Sequence, residues 1–356
     1  VNRRAAHSDH LFYASEKEAA EKNSSLVLSL NGVWKFAYAV REQDRIHGFE
    51  AADFDCNGWA DIPVPGHLEM NGYSVPQYAN VQYPWDGHDK LEYGEVPKYN
   101  NPTGSYVRYF TVPRNFSGRR VMISFQGVQT AFAVWLNGKF IGYSEDSFTP
   151  SEFELTNELK SGENKLAVLV YKYSSAAWLE DQDYWRLSGI FRDVFLYVCP
   201  EVHIADMGVH TLITDDFTSG TLALALEFMD GRVESARKAA KETGKSNEFP
   251  SFRMEGSLYD VNGKKVAQFD TAKFKTKSGK REDGERIAKA ELSAEISGKD
   301  LELWSAEKPY LYRLELVICG SNGRVCEVVS EKIGFRRFEL KDGLMQINGK
   351  RIMFFG

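Results

Sequence analysis

The chain has 356 residues, of which 43% are hydrophobic and 26% charged, and its formal net charge at pH 7 is −6. This composition is typical of a globular protein, and the length predicts two or three domains. The acidic balance argues against nucleic acid as a partner, because phosphate binding needs a basic surface. The sequence contains no run of about 18 apolar residues, so we expect no membrane partner or membrane span.

Residues 1–30 are polar and irregular, which predicts an arm with a short helix around Ser15–Lys22. The first strand is predicted at Leu30–Phe36, where aromatic and polar residues alternate after Val33. The first ten residues lack the apolar segment of a signal peptide. We therefore expect a cytoplasmic protein, with a periplasmic or secreted one as the alternative if a signal peptide has been removed.

The stretch from Asp61 to Thr103 is dense in proline and glycine, which predicts a long loop. It also carries six aromatic residues: Tyr73, Tyr78, Tyr83, Trp85, Tyr93 and Tyr99. Loops of this length are often functional. Two interpretations stay open, a packed covering loop and a loop that faces a ligand.

A series of short strands follows, and no long amphipathic helix interrupts it. They are predicted at Tyr106–Thr111, Val121–Phe125, Phe132–Leu136, Phe140–Tyr143 and Lys165–Tyr173. Asn137-Gly138 is the strongest short signal for a hairpin turn. Short strands at this spacing predict a β-sandwich of jelly-roll type over residues 31–200.

A domain boundary is predicted near Cys199-Pro200. Beyond it, apolar and polar residues alternate in half-buried strands such as Leu222–Phe228 and Tyr312–Ile318. With further strands at Phe252–Asp260, Lys265–Phe269 and Glu327–Ile333, about seven strands predict an immunoglobulin-like sandwich over residues 201–335. The charge-rich piece Gly231–Glu248 is interpreted as an insertion.

Residues 336–356 form a separate predicted hairpin around Asn348-Gly349. Its last strand, Ile352–Phe355, is fully apolar, as expected of a strand that another element buries. We therefore expect the chain to be a fragment, with a further domain after Gly356.

The four cysteines are scattered without a C-x-x-C motif, and the seven histidines show no metal-ligand spacing. If Asn322-Gly323 forms a two-residue turn, Cys319 lies opposite Cys326 at a hydrogen-bonded pair, where the side chains are poorly aimed for a disulfide. We expect four free thiols.

The segment Trp178–Val194 has the composition of a carbohydrate site. It places the carboxylates of Glu180, Asp181 and Asp183 beside Trp178, Tyr184 and Trp185. A sugar stacks its C–H face on an aromatic ring, while its hydroxyls need directional hydrogen bonds. The alternative is a structural corner in which Arg186 and Arg192 neutralise the acids. Spacing excludes a calcium loop that starts at Asp181.

Several segments together resemble glycoside hydrolase family 2, in the branch of the large bacterial β-galactosidases. They occur in the family's order and include SLNGVWKFAY, YANVQYP, NPTGSYVRYFTV, GENKLAVLVYKYS, LEDQDYWRLSGIFRDV, IGFRRFEL and NGKRIMFFG. The resemblance covers residues 2–356 and is weakest at 230–300. It implies an arm (1–30), a jelly-roll sugar-binding domain (31–200), an immunoglobulin-like domain (201–335) and the first hairpin of a truncated (β/α)8 barrel (336–356).

The resemblance also implies roles for individual residues. Asp183 is expected to accept hydrogen bonds from galactose hydroxyls and to share a bound Na⁺, and Asn80 is expected to be a second substrate contact. Asp181, Tyr83 and Trp185 are candidates with no assigned role, and Arg186 and Arg192 are expected to be structural partners of the acids. The catalytic glutamates and a Mg²⁺ site are expected only in the missing barrel, so this chain holds no catalytic residue.

The sequence thus predicts the N-terminal, non-catalytic part of a retaining β-galactosidase, and we expect this part to be inactive by itself. Its expected partners are a galactoside, its own catalytic domain and further copies of the protein in a homo-oligomer. Two alternatives remain: a carbohydrate-binding module without catalysis, and a family 2 enzyme with another glycone, a β-glucuronidase or β-mannosidase.

Overall fold

The computed structural model describes residues 4–5, 7–180, 182–233, 235–236, 249–269, 276–281 and 284–354. They form two compact units, one of residues 4–5 and 27–198 and the other of residues 7–26 and those from Cys199 onward. Both units consist mainly of β-sheet, which confirms the predicted all-β class. Within the described residues, no helix is long and apolar enough to span a membrane.

The strands and helices up to Cys199 are short, and most strands span fewer than ten residues. In chain order they are β1 (Phe12–Tyr13), α1 (Glu16–Glu21), β2 (Val27–Ser29), β3 (Gly32–Ala39), β4 (Ala60–Val64), β5 (Gln77–Ala79), β6 (Thr103–Thr111), β7 (Arg120–Phe125), β8 (Val128–Gln129), β9 (Ala131–Leu136), β10 (Lys139–Ser144), β11 (Ser151–Glu154), β12 (Glu163–Tyr171), α2 (Ala177–Glu180), β13 (Tyr184–Arg186), β14 (Gly189–Ile190) and β15 (Val194–Cys199).

The first unit is the predicted jelly-roll sandwich. A six-stranded sheet runs β10-β9-β12-β6-β3-β4, and a four-stranded sheet runs β11-β7-β15-β2. Rings from the two sheets meet in the core, where the centroid of Phe132 on β9 lies 4.8 Å from that of Phe125 on β7 and 6.0 Å from that of Phe153 on β11. Leu136 pairs with Lys139, so Asn137-Gly138 forms the predicted two-residue turn.

The long loop of residues 61–103 differs from the prediction, because it contains regular structure of its own. Its beginning completes β4, which pairs with β3, and Gln77–Ala79 forms β5, which pairs with β13. The β5–β13 ladder carries the residues that the sequence analysis singles out.

The second unit is a sandwich whose strands alternate buried apolar and exposed polar residues. Its later strands are β16 (Val202–Ile213), β17 (Ser219–Asp230), β18 (Phe252–Tyr259), β19 (Lys265–Gln268), β20 (Lys277–Lys280), β21 (Arg286–Ser297), β22 (Tyr312–Gly320), β23 (Val325–Ile333), β24 (Phe338–Lys341), β25 (Leu344–Ile347) and β26 (Lys350–Arg351). Sheets β16-β17-β21-β20 and β1-β23-β22-β18-β19 share one core. This arrangement is the predicted immunoglobulin-like sandwich. Most of Gly231–Glu248 lies outside the described residues.

The N-terminal arm supplies β1 and α1 to the second unit. β1 pairs with β23, which the sequence analysis did not predict. The helix confirms the prediction around Ser15–Lys22, because the Ser15 hydroxyl accepts from the Glu18 amide at its N-terminus and Lys22 ends it in the left-handed conformation.

The turn at Asn322-Gly323 is longer than predicted. Gly323 donates to the Gly320 carbonyl, and Gly320 donates to the Arg324 carbonyl, so a bulge shifts the ladder and Cys319 faces Val325 instead of Cys326. All four cysteines are free, as predicted.

Strands β24, β25 and β26 form a separate three-stranded sheet. Two-residue turns at Asp342-Gly343 and at the predicted Asn348-Gly349 connect them, and all four turn residues have positive φ. The sheet and its C-terminal extension expose large apolar side chains, including those of Phe338, Leu340, Met353 and Phe354. The predicted strand Ile352–Phe355 is wrong for the residues that the structure describes, because β26 ends at Arg351; Phe355 lies outside them.

The second unit also buries a carboxyl group on β23. Glu327 is 1% exposed and accepts a hydrogen bond from the Ile204 amide at 2.8 Å. Burial raises the pKa of Glu327 from 4.5 to about 8, and the Ile204 amide offsets only part of that rise. The carboxyl group is therefore protonated in the folded chain at neutral pH.

This raised pKa predicts that the stability of the second unit falls as the pH rises. Between pH 4.5 and about 8, Glu327 is ionised in the unfolded chain but keeps its proton in the folded chain. The free energy of unfolding therefore falls as the pH rises through this range. We expect Glu327→Gln to stabilise β22 and β23 by about 2–4 kcal/mol at pH 8.5 and by little at pH 4.5. Amide hydrogen exchange of both chains at each pH measures the difference. An equal difference at the two pH values would contradict the buried, protonated carboxyl.

Candidate functional site

The short ladder between β5 and β13 brings the two predicted substrate contacts together. Tyr184 pairs with Ala79, Trp185 with Tyr78 and Arg186 with Gln77. One step further in the same antiparallel register, Asp183 lies opposite Asn80. Both side chains are exposed. Two residues 103 positions apart in the sequence thus lie at the same end of one ladder.

Tyr78, one of the six aromatic residues of the long loop, joins this pair, although the sequence analysis assigned it no role. Its hydroxyl donates a short hydrogen bond to Oδ1 of Asp183. The hydrogen bond to Asp183 raises the pKa of Tyr78, and a hydrogen bond to the Asn80 side chain partly offsets this rise. The three side chains therefore form a linked polar group. The alternation in Tyr78-Ala79-Asn80 is the signal that could have identified it, because it places residues 78 and 80 on one face of a strand.

The same face carries an aromatic surface beside the polar group. The ring centroids of Tyr78 and Trp185 lie 5.6 Å apart, and the two residues are 52% and 56% exposed. We call Tyr78, Asn80, Asp183 and Trp185 the ladder face. Exposed aromatic rings beside a carboxylate and an amide are the groups that bind a sugar, through stacking and directional hydrogen bonds.

The opposite face of the ladder is anchored to the first unit. Arg186 is 4% exposed; its guanidinium lies 4.3 Å from the Tyr184 ring centroid and donates to the Ala79 carbonyl at 3.3 Å. Gln77 donates to the Pro84 carbonyl at 2.9 Å and accepts from the Tyr173 hydroxyl at 3.0 Å. These contacts on the opposite side of the ladder fix the position of the ladder face.

The contacts of Arg192 in the described part of the chain differ from its predicted role as a partner of the acids. Arg192 donates to the carbonyl oxygens of Phe148, at 2.7 Å, and Gln126, at 3.4 Å. Glu180 instead accepts from the amide and hydroxyl of Ser147. These groups are structural. Asp181 lies outside the described residues.

Part of the long loop packs as a covering layer. Tyr83 stacks on Trp85 with ring centroids 5.2 Å apart, and the Trp178 ring lies within 4.8 Å of both. Trp85 is 3% exposed, and the Trp178 indole donates to the Glu95 carbonyl at 2.7 Å. Tyr83 therefore belongs to packed structure, whereas Trp185 lies on the exposed face. The interpretation as a packed covering loop therefore holds for this part of it, and the ligand-facing interpretation stays a prediction for the exposed part.

A buried ion pair ties the start of this loop to the strands behind it. Lys172, just after β12, donates to Glu69 at 2.8 Å, and the two side chains are 4% and 0% exposed. Glu69 also accepts from the amide and hydroxyl of Ser188, both at 2.8 Å. Ser188 follows β13 by two residues, so the ion pair helps to fix the ladder.

Asp183 can supply only part of a cation site. The described residues contain no group of three or more His, Cys, Asp or Glu side chains that could hold a metal ion. Oδ1 of Asp183 accepts from Tyr78, and Oδ2 receives no hydrogen bond from the described part of the chain. One carboxylate oxygen fits a hard cation such as Na⁺, but its other oxygen ligands would have to come from other groups.

Comparisons with known proteins match the chain along its length. The family "Glycosyl hydrolases family 2, sugar binding domain" matches residues 27–200, and "Glycosyl hydrolases family 2" matches residues 202–336. The chain is 48% identical to a β-galactosidase of Halalkalibacterium halodurans, covering 100% of the chain and 32% of that protein. It is 36% identical to a β-galactosidase large subunit of Latilactobacillus sakei, covering 100% of the chain and 53% of that subunit.

Solved structures support the fold. A β-glucuronidase of Bacteroides uniformis superposes with a TM-score of 0.66 at 20% identity, over 91% of this chain and 34% of that one. A glycosyl hydrolase family 2 member from Bacteroides cellulosilyticus superposes with a TM-score of 0.65 at 19% identity, over 92% of this chain and 37% of that one. The chain spans about a third of the length of the H. halodurans relative and about half of the L. sakei subunit.

Proposed function

Because the chain belongs to glycoside hydrolase family 2, we propose that it is the non-catalytic N-terminal part of a retaining β-galactosidase that hydrolyses terminal β-D-galactose residues. Its contribution is half of the galactose subsite. The observation that carries the proposal is the ladder face, where Asp183, Tyr78 and Asn80 are linked beside the exposed Trp185 ring.

The ladder face binds rather than reacts. Retaining hydrolysis needs a carboxylic acid and a carboxylate nucleophile about 5 Å apart across the glycosidic bond. Asp183 shares its exposed face with an amide and two aromatic residues, so we place the acid and the nucleophile in another part of the whole protein. Asp183 and Asn80 act on sugar hydroxyls, and such hydrogen bonds speed the reaction when they strengthen in the transition state.

The charge of the ladder face favours galactose over a uronic acid. An exposed Asp183 carboxylate attracts hydroxyl donors and repels a sugar carboxylate held against it. The curated relatives named above carry the name β-galactosidase, which favours the same glycone. A cationic side chain in place of Asp183 would instead favour a uronic acid.

The remaining partners follow from the same proposal. Asp183 gives one oxygen to a shared Na⁺, and any Mg²⁺ is held by other parts of the protein. The apolar side chains of Phe338, Leu340, Met353 and Phe354 face a following catalytic barrel, because such an exposed apolar group is expected to be buried by a partner. We also propose that the whole protein is a cytoplasmic homo-oligomer.

A panel of aryl glycosides tests the proposed function. We expect the complete protein to hydrolyse the β-galactoside much faster than the β-glucuronide and β-mannoside, and the 356-residue chain to hydrolyse none of them. Turnover by the chain itself would overturn the assignment of the catalytic groups to another part. Preference for another glycone would contradict galactose as the substrate sugar. The absence of turnover by the complete protein would favour a binding module.

A further inference from the structure

The first unit contains a second polar and aromatic cleft that shares no residue with the ladder face. It has a volume of about 620 Å³, within the range of small-molecule sites. Three tyrosines line it: Tyr143 on β10, Tyr171 at the end of β12, and Tyr173 two residues beyond that strand. We call it the tyrosine cleft. We propose that the tyrosine cleft binds a neutral oligosaccharide.

One side of the tyrosine cleft is a fixed polar framework. Glu145 accepts from the Tyr143 hydroxyl at 2.7 Å and from the Ser175 hydroxyl at 2.6 Å. Asn101 exchanges two hydrogen bonds of 2.9 Å with the backbone of Tyr173. Burial, together with Glu145, raises the pKa of Tyr143, so its ring stays neutral and its hydroxyl stays a donor. The lining is therefore formed before a ligand arrives, which reduces the entropy lost on binding.

Other polar groups of the lining remain available to a ligand. The Tyr171 hydroxyl, the Gln43 amide and the Lys98 ammonium group make no hydrogen bond within the described part of the chain. Gln43 and Lys98 are exposed, and Tyr171 is half-buried. Donors and acceptors beside tyrosine rings suit a ligand that has both hydroxyls and C–H faces.

The charges of the tyrosine cleft are balanced, which favours a neutral ligand. Of its two carboxylates, Glu145 is satisfied by hydroxyl donors and Glu42 pairs with Arg45 at 2.9 Å. Lys98 supplies a further positive charge at the surface. Arg45 offsets the charge of Glu42, and the rest of the lining carries one carboxylate, Glu145, and one ammonium group, Lys98, so neither an anion nor a cation gains a large electrostatic advantage. A saccharide without ionised groups fits this balance.

Titration of the 356-residue chain tests the proposal, with tyrosine-ring NMR signals as the readout. The probes are β-1,4-galactotriose, cellotriose and, as the charged comparison, trigalacturonate. We expect at least one neutral trisaccharide to shift the signals of Tyr143 and Tyr171 in a saturable way. Gln43→Ala, at an exposed position, should weaken that binding by about three- to tenfold through loss of its hydrogen bonds.

The matched control is Asp183→Ala, which alters the ladder face alone and should leave this titration unchanged. Three results would overturn the proposal: no shift with either neutral probe at 20 mM, about the weakest binding that such a titration detects; stronger binding of trigalacturonate; or binding that Asp183→Ala abolishes and Gln43→Ala leaves intact. None of these results bears on galactoside hydrolysis by the complete protein, so this proposal and the proposed function can fail separately.

Discussion

Replacing Asp183 by alanine in the complete protein is expected to lower kcat/KM for an aryl β-galactoside by about 30- to 1,000-fold. The variant loses a charged acceptor for a sugar hydroxyl, and it leaves the Tyr78 hydroxyl without the partner that now orients it. Because Asp183 is exposed, the fold should be unaffected. Steady-state kinetics, with circular dichroism as the check on folding, measure the effect.

Two comparison variants separate this role from a general loss of charge. Asp61 is an exposed carboxylate of the same unit that pairs with Lys35 at 2.9 Å, so Asp61→Ala should retain nearly full activity. Tyr78→Phe keeps the ring and removes the hydroxyl that holds Asp183 and Asn80, so its activity should fall between those of Asp183→Ala and the parent. An unchanged rate for Asp183→Ala would leave the ladder face with a structural role only.

Replacing Lys172 by methionine is expected to destabilise the first unit by about 3–5 kcal/mol. The substitution leaves the Glu69 carboxylate buried and without its cation, and Glu69 is 0% exposed at its side chain. Six of the seven tryptophans lie in this unit, so tryptophan fluorescence during urea unfolding of the chain reports on it.

A double variant decides whether the ion pair or the packing is responsible. In Lys172→Met with Glu69→Gln, the amide oxygen still accepts from Ser188 but carries no charge, so most of the lost stability should return. The exposed pair of Arg41 and Asp44 is the control, and Arg41→Ala should leave the urea midpoint unchanged. A double variant as unstable as the single one would show that the buried charge is not the cause.

Local patterns in the sequence predict most of the strands. Half-buried strands such as β17 show a period of two, and strands buried on both faces such as β12 show a run of apolar residues. The Asn137-Gly138 hairpin is predicted to the residue, since both positions need positive φ. The turn at Asn322-Gly323 is not predicted correctly, because the extra residue of its bulge depends on hydrogen bonds between Gly320, Gly323 and Arg324. The pairing of β1 with β23 was missed because a two-residue strand leaves no periodic pattern.

The candidate site was only partly predictable for a similar reason. Asn80 and Asp183 came from a resemblance to a family, and nothing local in the sequence indicates that they lie side by side. Their proximity depends on a ladder of three pairs between distant segments, and so does the role of Tyr78. The partner of Glu69 was equally hidden, because Lys172 lies 103 positions away in the sequence and no local pattern links the two residues.

The most direct test of the ladder face is a kinetic series with monodeoxy aryl β-galactosides, measured on the complete protein and on Asp183→Ala. If Asp183 accepts a hydrogen bond from one sugar hydroxyl, the substitution should lower kcat/KM only slightly for the substrate that lacks this hydroxyl. For the other substrates, kcat/KM should fall by as much as it does for the parent galactoside. An equal loss of kcat/KM on every member of the series would contradict the proposed galactose subsite.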